Sequence, residues 1–427
     1  RWIFLLYYLY ISQSFIIGFH ETVALSNSKK DCLKKSHEDL YNQIDDDLRP
    51  WQSGISTSLM DRTLQDHTAT TWGEKAIGIL FKEGRPFILS NMSQIHALGH
   101  HGGLITAHLK FFEALGGAYG DTIPDVEFVF GTADTPSIRL DKIREGEDPP
   151  PILRFCKSVG HADILVPDIH FQMRSFSSSV LSNVNKVNQE WGWADRNATL
   201  FGRFSQYQRI VHIGIPEIQR KGAGGKDICK LANTDLLFCA VRTHFMDEYG
   251  KQLKRKLLGQ VHVDVARQPR IPMLNHARYK YLLHLDGQTC SSRLEQLLVM
   301  GSLVMKEESG YQAFYHHLMK PHVHYMPVWK EGPEDMLEAL TWALGHEEEA
   351  QEMGRRAQRL AQQYLTQEAL ECYWVILLSR LSKLLKFKPG IQDERRHQFH
   401  IPVEDYLASK DGRYWIKRYK LDDMELP

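Results

Sequence analysis

Tyr279-Lys280-Tyr281-Leu282-Leu283-His284-Leu285-Asp286-Gly287-Gln288-Thr289-Cys290-Ser291-Ser292-Arg293 is the stretch on which the reading of this chain turns. An apolar strand runs into a loop of small residues and ends in an arginine. Leu294, Leu297 and Leu298 then repeat at helical spacing. Gly301-Ser302-Leu303-Val304 and Lys320-Pro321-His322-Val323-His324-Tyr325-Met326-Pro327-Val328 follow, with strands predicted at Leu303–Met305 and Val323–Tyr325. Ser292 and Glu295 have capping-box spacing, so the helix is predicted to begin at Ser292 or Arg293. A helix N-terminus with small residues before it and a planar cation beside it suits a nucleotide diphosphate. By spacing alone, the commoner reading of Arg293 is a first-turn arginine paired with a surface carboxylate.

Outward from this stretch, strand and helix signals alternate. Ile210–Ile213 and Leu236–Cys239 read as further strands of the same half. Pro86–Leu89, Val126–Phe130 and Ile164–Val166 read as strands of an earlier half, with a helix near Gly103–Leu115. Such alternation predicts parallel α/β layers. Residues from Glu334 to about Phe387 read as helical, with Leu370, Trp374, Leu377 and Leu381 on an apolar face. The segment Lys221-Gly222-Ala223-Gly224-Gly225-Lys226 lacks the Gly-Lys-Ser/Thr of a phosphate loop. The expected fold is α/β, with two Rossmann-like domains facing a cleft. The expected division is 1–20 signal peptide or signal anchor, 21–60 polar stem, 61–195 first α/β domain, 196–365 second α/β domain, and 366–427 C-terminal helices and tail.

Composition narrows the function. Among 427 residues, Lys plus Arg equal Asp plus Glu, so no global charge draws the chain to nucleic acid. Trp2–Phe19 is an uncharged, mostly apolar run, read as a secretory h-region or as an anchor in the membrane. The sequons Asn91-Met92-Ser93 and Asn197-Ala198-Thr199 agree with a lumenal address. None of the six cysteines forms a Cys-x-x-Cys pair, which argues against zinc and thioredoxin-type chemistry. In an oxidising lumen an even count permits disulfides, with the pairing left open. The histidines at 96, 100, 101, 316, 317, 322 and 324 read as satisfied or surface groups, His322 and His324 sharing one face of a strand. No metal site is expected.

The segments at 279–293, 301–304 and 320–328 resemble the signature of glycosyltransferase family 90, the family of the Rumi-type O-glucosyltransferases. Weaker similarity extends from about residue 80 to 385. The resemblance implies the GT-B architecture for the two Rossmann-like domains, and a UDP-sugar as co-substrate, with no separate cofactor. It carries donor contacts onto Gln288, Thr289, Cys290, Ser291, Ser292 and Arg293. Asn197-Ala198-Thr199-Leu200-Phe201-Gly202-Arg203-Phe204-Ser205 resembles a second family stretch and adds Ser205 and Arg203; Arg209 is the nearest counterpart of a further family arginine. In Phe128-Val129-Phe130-Gly131-Thr132-Ala133-Asp134-Thr135-Pro136 the resemblance makes Asp134 the catalytic base. Without it, Asp134 reads as a turn-starting aspartate and Arg203 as a strand-edge charge.

The implied reaction is inverting transfer of glucose or xylose from UDP-glucose or UDP-xylose to a hydroxyl of a protein serine or a glycan, in the lumen of the endoplasmic reticulum or Golgi. The rivals are a polysaccharide xylosyltransferase and a catalytically silent lectin-like or chaperone protein of the same fold. The acceptor-contacting glycines of the family are replaced by Val166-Pro167-Asp168-Ile169-His170-Phe171-Gln172-Met173, and one family cysteine pair by Ala277 and Met300. Leu370-Glu371-Cys372-Tyr373-Trp374 resembles the family's C-terminal Cys-Tyr-Trp, which implies a disulfide between Cys372 and Cys32 and C-terminal helices returning to the N-terminal half.

Overall fold

The computed structural model describes residue 32 and residues 37–68, 75–390 and 399–427. The apolar run at 2–19 lies outside the described residues. Among those described, no helix is long and apolar enough to cross a membrane.

Five parallel strands organise the second half, in the order His262–Ala266, Asn197–Arg203, Tyr279–His284, Leu303–Glu307, Met326–Val328. Helices cover both faces of such a sheet, so its strands are apolar on both sides. Tyr281, Leu282, Leu283, Leu303, Val304 and Met305 are all buried. Helices Asp335–Gly345 and Glu347–Tyr364 follow the last strand. Two expected strands lie elsewhere. Arg209–His212 and Leu236–Cys239 join Cys229–Leu231 in a separate three-stranded antiparallel sheet. The strand read at Val323–Tyr325 begins only at Met326, because Lys320–Tyr325 is wound into a turn.

The first half carries a mixed sheet of six strands: Ile401–Pro402, Arg85–Ile88, Ala76–Lys82, Val126–Gly131, Ile152–Arg154, Ile164–Leu165. Its last three strands are parallel, and the others pair antiparallel. The all-parallel expectation therefore holds for only one side. The departure comes from a two-residue hairpin at Glu83-Gly84, both at positive φ (52° and 75°), the conformation that matches strand twist. A Cβ on Gly84 would stand 2.6 Å from the Gly120 backbone, so a larger residue is excluded there.

Residues 38–60, read as part of a polar stem, are folded instead. Helix Glu38–Leu48 buries Leu40 and Ile44, Trp51 is fully buried, and Ser56 caps helix Thr57–His67 through the amide of Leu59. Their charges hid an amphipathic pattern whose apolar side meets the returning C-terminal helix. That helix, Gln367–Leu384, starts at a Thr366 cap and packs Trp374 edge-on to Phe112, ring centroids 5.1 Å apart. Cys32 and Cys372 are joined in a disulfide, Cα atoms 5.0 Å apart. The remaining cysteines pair as Cys156–Cys290 and Cys229–Cys239.

Candidate active site

A cavity of about 590 Å³ opens between the two sheets. Its walls come from the carboxyl ends of three strands, where ligands of α/β sheets bind. Ser205 follows Asn197–Arg203, the loop 287–293 follows Tyr279–His284, and Asp134 follows Val126–Gly131.

The 285–293 loop is held from beneath. Asp286 is buried, accepts from the Ser291 amide (3.0 Å) and the Ser309 hydroxyl (2.5 Å), and pairs with His284 (3.0 Å). Burial alone would raise its carboxyl pKa. The His284 hydrogen bond and the charges of His284, Arg209 and Lys306 outweigh that and hold it far below the carboxylate range. The Cys156–Cys290 disulfide ties the same loop to the first half. Thr289 Oγ1 donates to the Asp134 carbonyl at 2.5 Å, and Arg174 Nη1 to the Ser292 carbonyl at 2.8 Å. Three contacts thus set the width of the cleft.

Gln288, Thr289, Cys290, Ser291, Ser292, Arg293 and Ser205 all line the cavity. Cys290 does so as half of a disulfide, so its thiol is not free. Arg203 and Arg209 do not line it. Arg203 turns back along its own sheet to Asp264 (2.8 Å) and the Pro269 carbonyl (2.8 Å). Arg209 is fully buried, forked onto Glu307 at 2.5 and 2.7 Å, and braces the carbonyl of Asp286 from below. Each sits near the donor loop in sequence or space, but its guanidinium is already satisfied by protein. The helix after the loop also differs from expectation. It spans only Leu294–Leu298, and Arg293 stands at its N-cap without a side-chain cap. Glu295 is buried and faces Arg174 at 3.9 Å instead of closing a capping box. Burial, partly offset by Arg174, pushes its carboxyl up to about 7.

Guanidinium groups supply the positive field that so short a helix cannot. Arg293 and Arg242 each lie 5.2 Å from the Phe204 ring centroid. Arg293 Nη1 is buried and has no hydrogen-bond partner among the described residues. Burial, then the charges of Arg174 and Arg270, push the Arg293 pKa down to about 10. Arg242 is more deeply buried. Its Nη2 reaches the Leu285 carbonyl (2.8 Å) and Ser291 Oγ (3.3 Å), and burial with the Arg293 charge lowers it to about 9. Sequence reasoning missed Arg242. It stands alone in a short helix after Cys239, and only the fold brings it to Ser205 and Ser291.

On the opposite wall Asp134 stands with His100 and His170. Burial raises the Asp134 carboxyl above its ordinary value, against the pull of His100 and Lys75. The sequence places His100 among satisfied or surface histidines and gives His170 no role. His100 opens helix His100–Tyr119, and His170 is fixed by Asp168 at 2.8 Å. Among the described residues, no group of three or more His, Cys, Asp or Glu side chains gathers in a way that suits a metal ion.

Fold and site together define a two-domain α/β protein whose cleft sets a desolvated carboxyl against the buried guanidinium of Arg242 and the half-buried one of Arg293. The chain belongs to glycosyl transferase family 90, whose model matches residues 32–209 and 225–404. It is 28% identical to mouse (Mus musculus) protein O-glucosyltransferase 3 over 280 residues, 64% of this chain and 50% of that protein. Human (Homo sapiens) protein O-glucosyltransferase 1 is 23% identical over 372 residues, 83% of each chain. The chain thus spans about half the length of the protein O-glucosyltransferases 2 and 3 it matches. A crystal structure of Anabaena HepE with UDP-glucose aligns with a TM-score of 0.30 at 13% identity, over 55% of this chain and 62% of that one. At that score the likeness adds nothing to the geometry above.

Proposed function

We propose that this protein is an inverting glycosyltransferase that moves glucose or xylose from UDP-glucose or UDP-xylose to a hydroxyl of a protein or glycan. The observation that carries the reading is the pairing across one cavity of Asp134, a carboxyl raised by burial, with Arg293, a half-buried arginine whose buried Nη1 has no hydrogen-bond partner among the described residues. A diphosphate supplies the oxygen atoms such a guanidinium needs. The family match and the named relatives support the same assignment.

In the proposed reaction, the acceptor oxygen attacks the anomeric carbon on the face opposite the diphosphate. The bond from that carbon to the phosphate oxygen breaks as the new glycosidic bond forms. Asp134 takes the acceptor proton, and UDP leaves with the bonding electron pair. Arg293 and Arg242 meet the charge that grows on the diphosphate, while Ser205 and Ser291 lie beside it as hydroxyl donors. Desolvation suits Asp134 to the task, since a carboxylate with a raised pKa is a stronger base. All six cysteines are in disulfides, which supports a secretory-pathway compartment such as the endoplasmic reticulum or Golgi lumen.

The test is a panel of UDP-sugars assayed for slow hydrolysis and for transfer, with wild type and Asp134→Asn. Asn keeps the size of the side chain and removes the base. Turnover is expected to fall by roughly 10² or more, with UDP affinity held within a few-fold. Near-normal turnover in the variant, or no turnover of any UDP-sugar by wild type, refutes the reading.

A further inference from the structure

The Lys320-Pro321-His322-Val323-His324-Tyr325 segment is among the sharpest in the sequence, yet it takes no part in the cleft. The chain folds there into a closed turn. The amides of Val323 and His324 donate to the Lys320 carbonyl at 3.1 and 3.0 Å, and the His322 amide to the Tyr325 carbonyl at 2.9 Å. His322 takes a positive φ of 61°, which is costly for a residue with a β-carbon. This turn forms one wall of a separate cavity of 490 Å³, which shares no lining residue with the cleft.

The opposite wall is helix Glu347–Tyr364. Arg356, Arg359 and Gln363 recur on it at intervals of three and four, so they lie on one face, toward Lys320 and His324. Three permanent cations, from Lys320, Arg356 and Arg359, thus line a concave site that holds one lining carboxylate, Asp39. That carboxylate already accepts from the Tyr364 hydroxyl at 3.2 Å. The arginines are poorly neutralised. Arg355, Arg356 and Arg359 share the single carboxylate of Glu352, at 4.0, 3.5 and 2.6 Å. Lys320 Nζ has no acceptor among the described residues. His324 Nδ1 accepts from the Lys320 amide at 3.0 Å, which leaves the ring proton on Nε2 as a donor.

We propose that this cavity is a second ligand site, for an anionic oligosaccharide that carries sulfate or phosphate ester groups. The site lies outside the transferase reading and stands without it. Two features favour a saccharide over a bare ion. The volume is that of a small-molecule site rather than of one oxyanion. Neutral hydrogen-bonding groups, from Asn42 and Gln363, lie among the cations, as hydroxyl recognition requires. Arginine forks hold ester oxygens in pairs, and the concave wall concentrates the positive field.

Calorimetry tests the assignment on the full protein with four probes: a sulfated hexasaccharide, its desulfated counterpart, inorganic phosphate, and UDP. The sulfated hexasaccharide is expected to bind, more weakly as salt is added, and in the presence of saturating UDP as well as in its absence. The double variant Lys320→Glu with Arg356→Glu lies on exposed or half-exposed positions. It is expected to lose affinity for that probe by about tenfold or more, with UDP affinity unchanged. Arg356→Gln is expected to lose less. Four outcomes overturn the proposal: no binding of the sulfated hexasaccharide, equal binding of the desulfated one or of inorganic phosphate, displacement by UDP, or full affinity in the double variant.

Discussion

Arg293→Met separates a guanidinium kept for a ligand from one kept for the fold. Arg293 is half-buried, the like charges of Arg174 and Arg270 outweigh that of Glu295 around it, and its buried Nη1 has no partner among the described residues. Its pKa, down to about 10 from an ordinary value above ~12, corresponds to a folded-state cost of about 3 kcal/mol for the charged form. The cation–π contact with Phe204 offsets about 1 kcal/mol of that. Methionine fills similar volume without charge, so the unliganded variant is expected to gain about 1–2 kcal/mol. The same substitution removes a charge-assisted contact to the diphosphate, and UDP affinity is expected to fall about tenfold or more. Urea unfolding reads the first effect and calorimetry with UDP the second. A variant less stable than wild type that still binds UDP with full affinity would refute the reasoning, since Arg293 would then be a structural residue.

Three further outcomes follow from the same structure. The Asp134 carboxyl is raised, so kcat/KM should climb with pH through a limb above the ordinary aspartate range and stay flat above it; a limb near pH 4, or one that survives in Asp134→Asn, counts against the assignment. Glu295, raised to about 7 by burial, holds its proton in the folded state over a range where the unfolded chain has lost it. Its contribution is therefore present below about pH 4.5 and is lost as pH rises toward 7. Glu295→Gln should gain on wild type across that window, by about 3 kcal/mol at most, in urea titrations at pH 5 and pH 8; an unchanged difference would show the carboxyl to be ionised throughout. Replacing Cys32 and Cys372 together by serine opens a loop with a sequence separation of 340. The chain-entropy model gives a loss of up to about 6 kcal/mol, read as a lower unfolding midpoint; an unchanged midpoint would mean that helix packing alone holds the C-terminal return.

By itself the sequence determined the parts whose physics is local. The strand at 279–284, the small-residue loop after it, the helix at 100–119 and the apolar face of 367–384 follow from periodicity and turn chemistry within a few residues. The family signature rests on the same short segments, and it singles out Asp134, Ser205, Ser291 and Arg293, which the fold gathers around one cavity. Tertiary structure decided what depends on partners far along the chain. Glu38–Leu48 reads as polar because most of its surface is polar; its few apolar side chains matter only once the 367–384 helix returns to cover them. Arg203, Arg209 and Arg242 look alike in a sequence. Asp264 and Glu307 satisfy the first two, while the third reaches Ser291 and Ser205 at the cleft. A guanidinium's role is set by which acceptors meet it in three dimensions, and in this chain they come from residues 37 to 98 positions away.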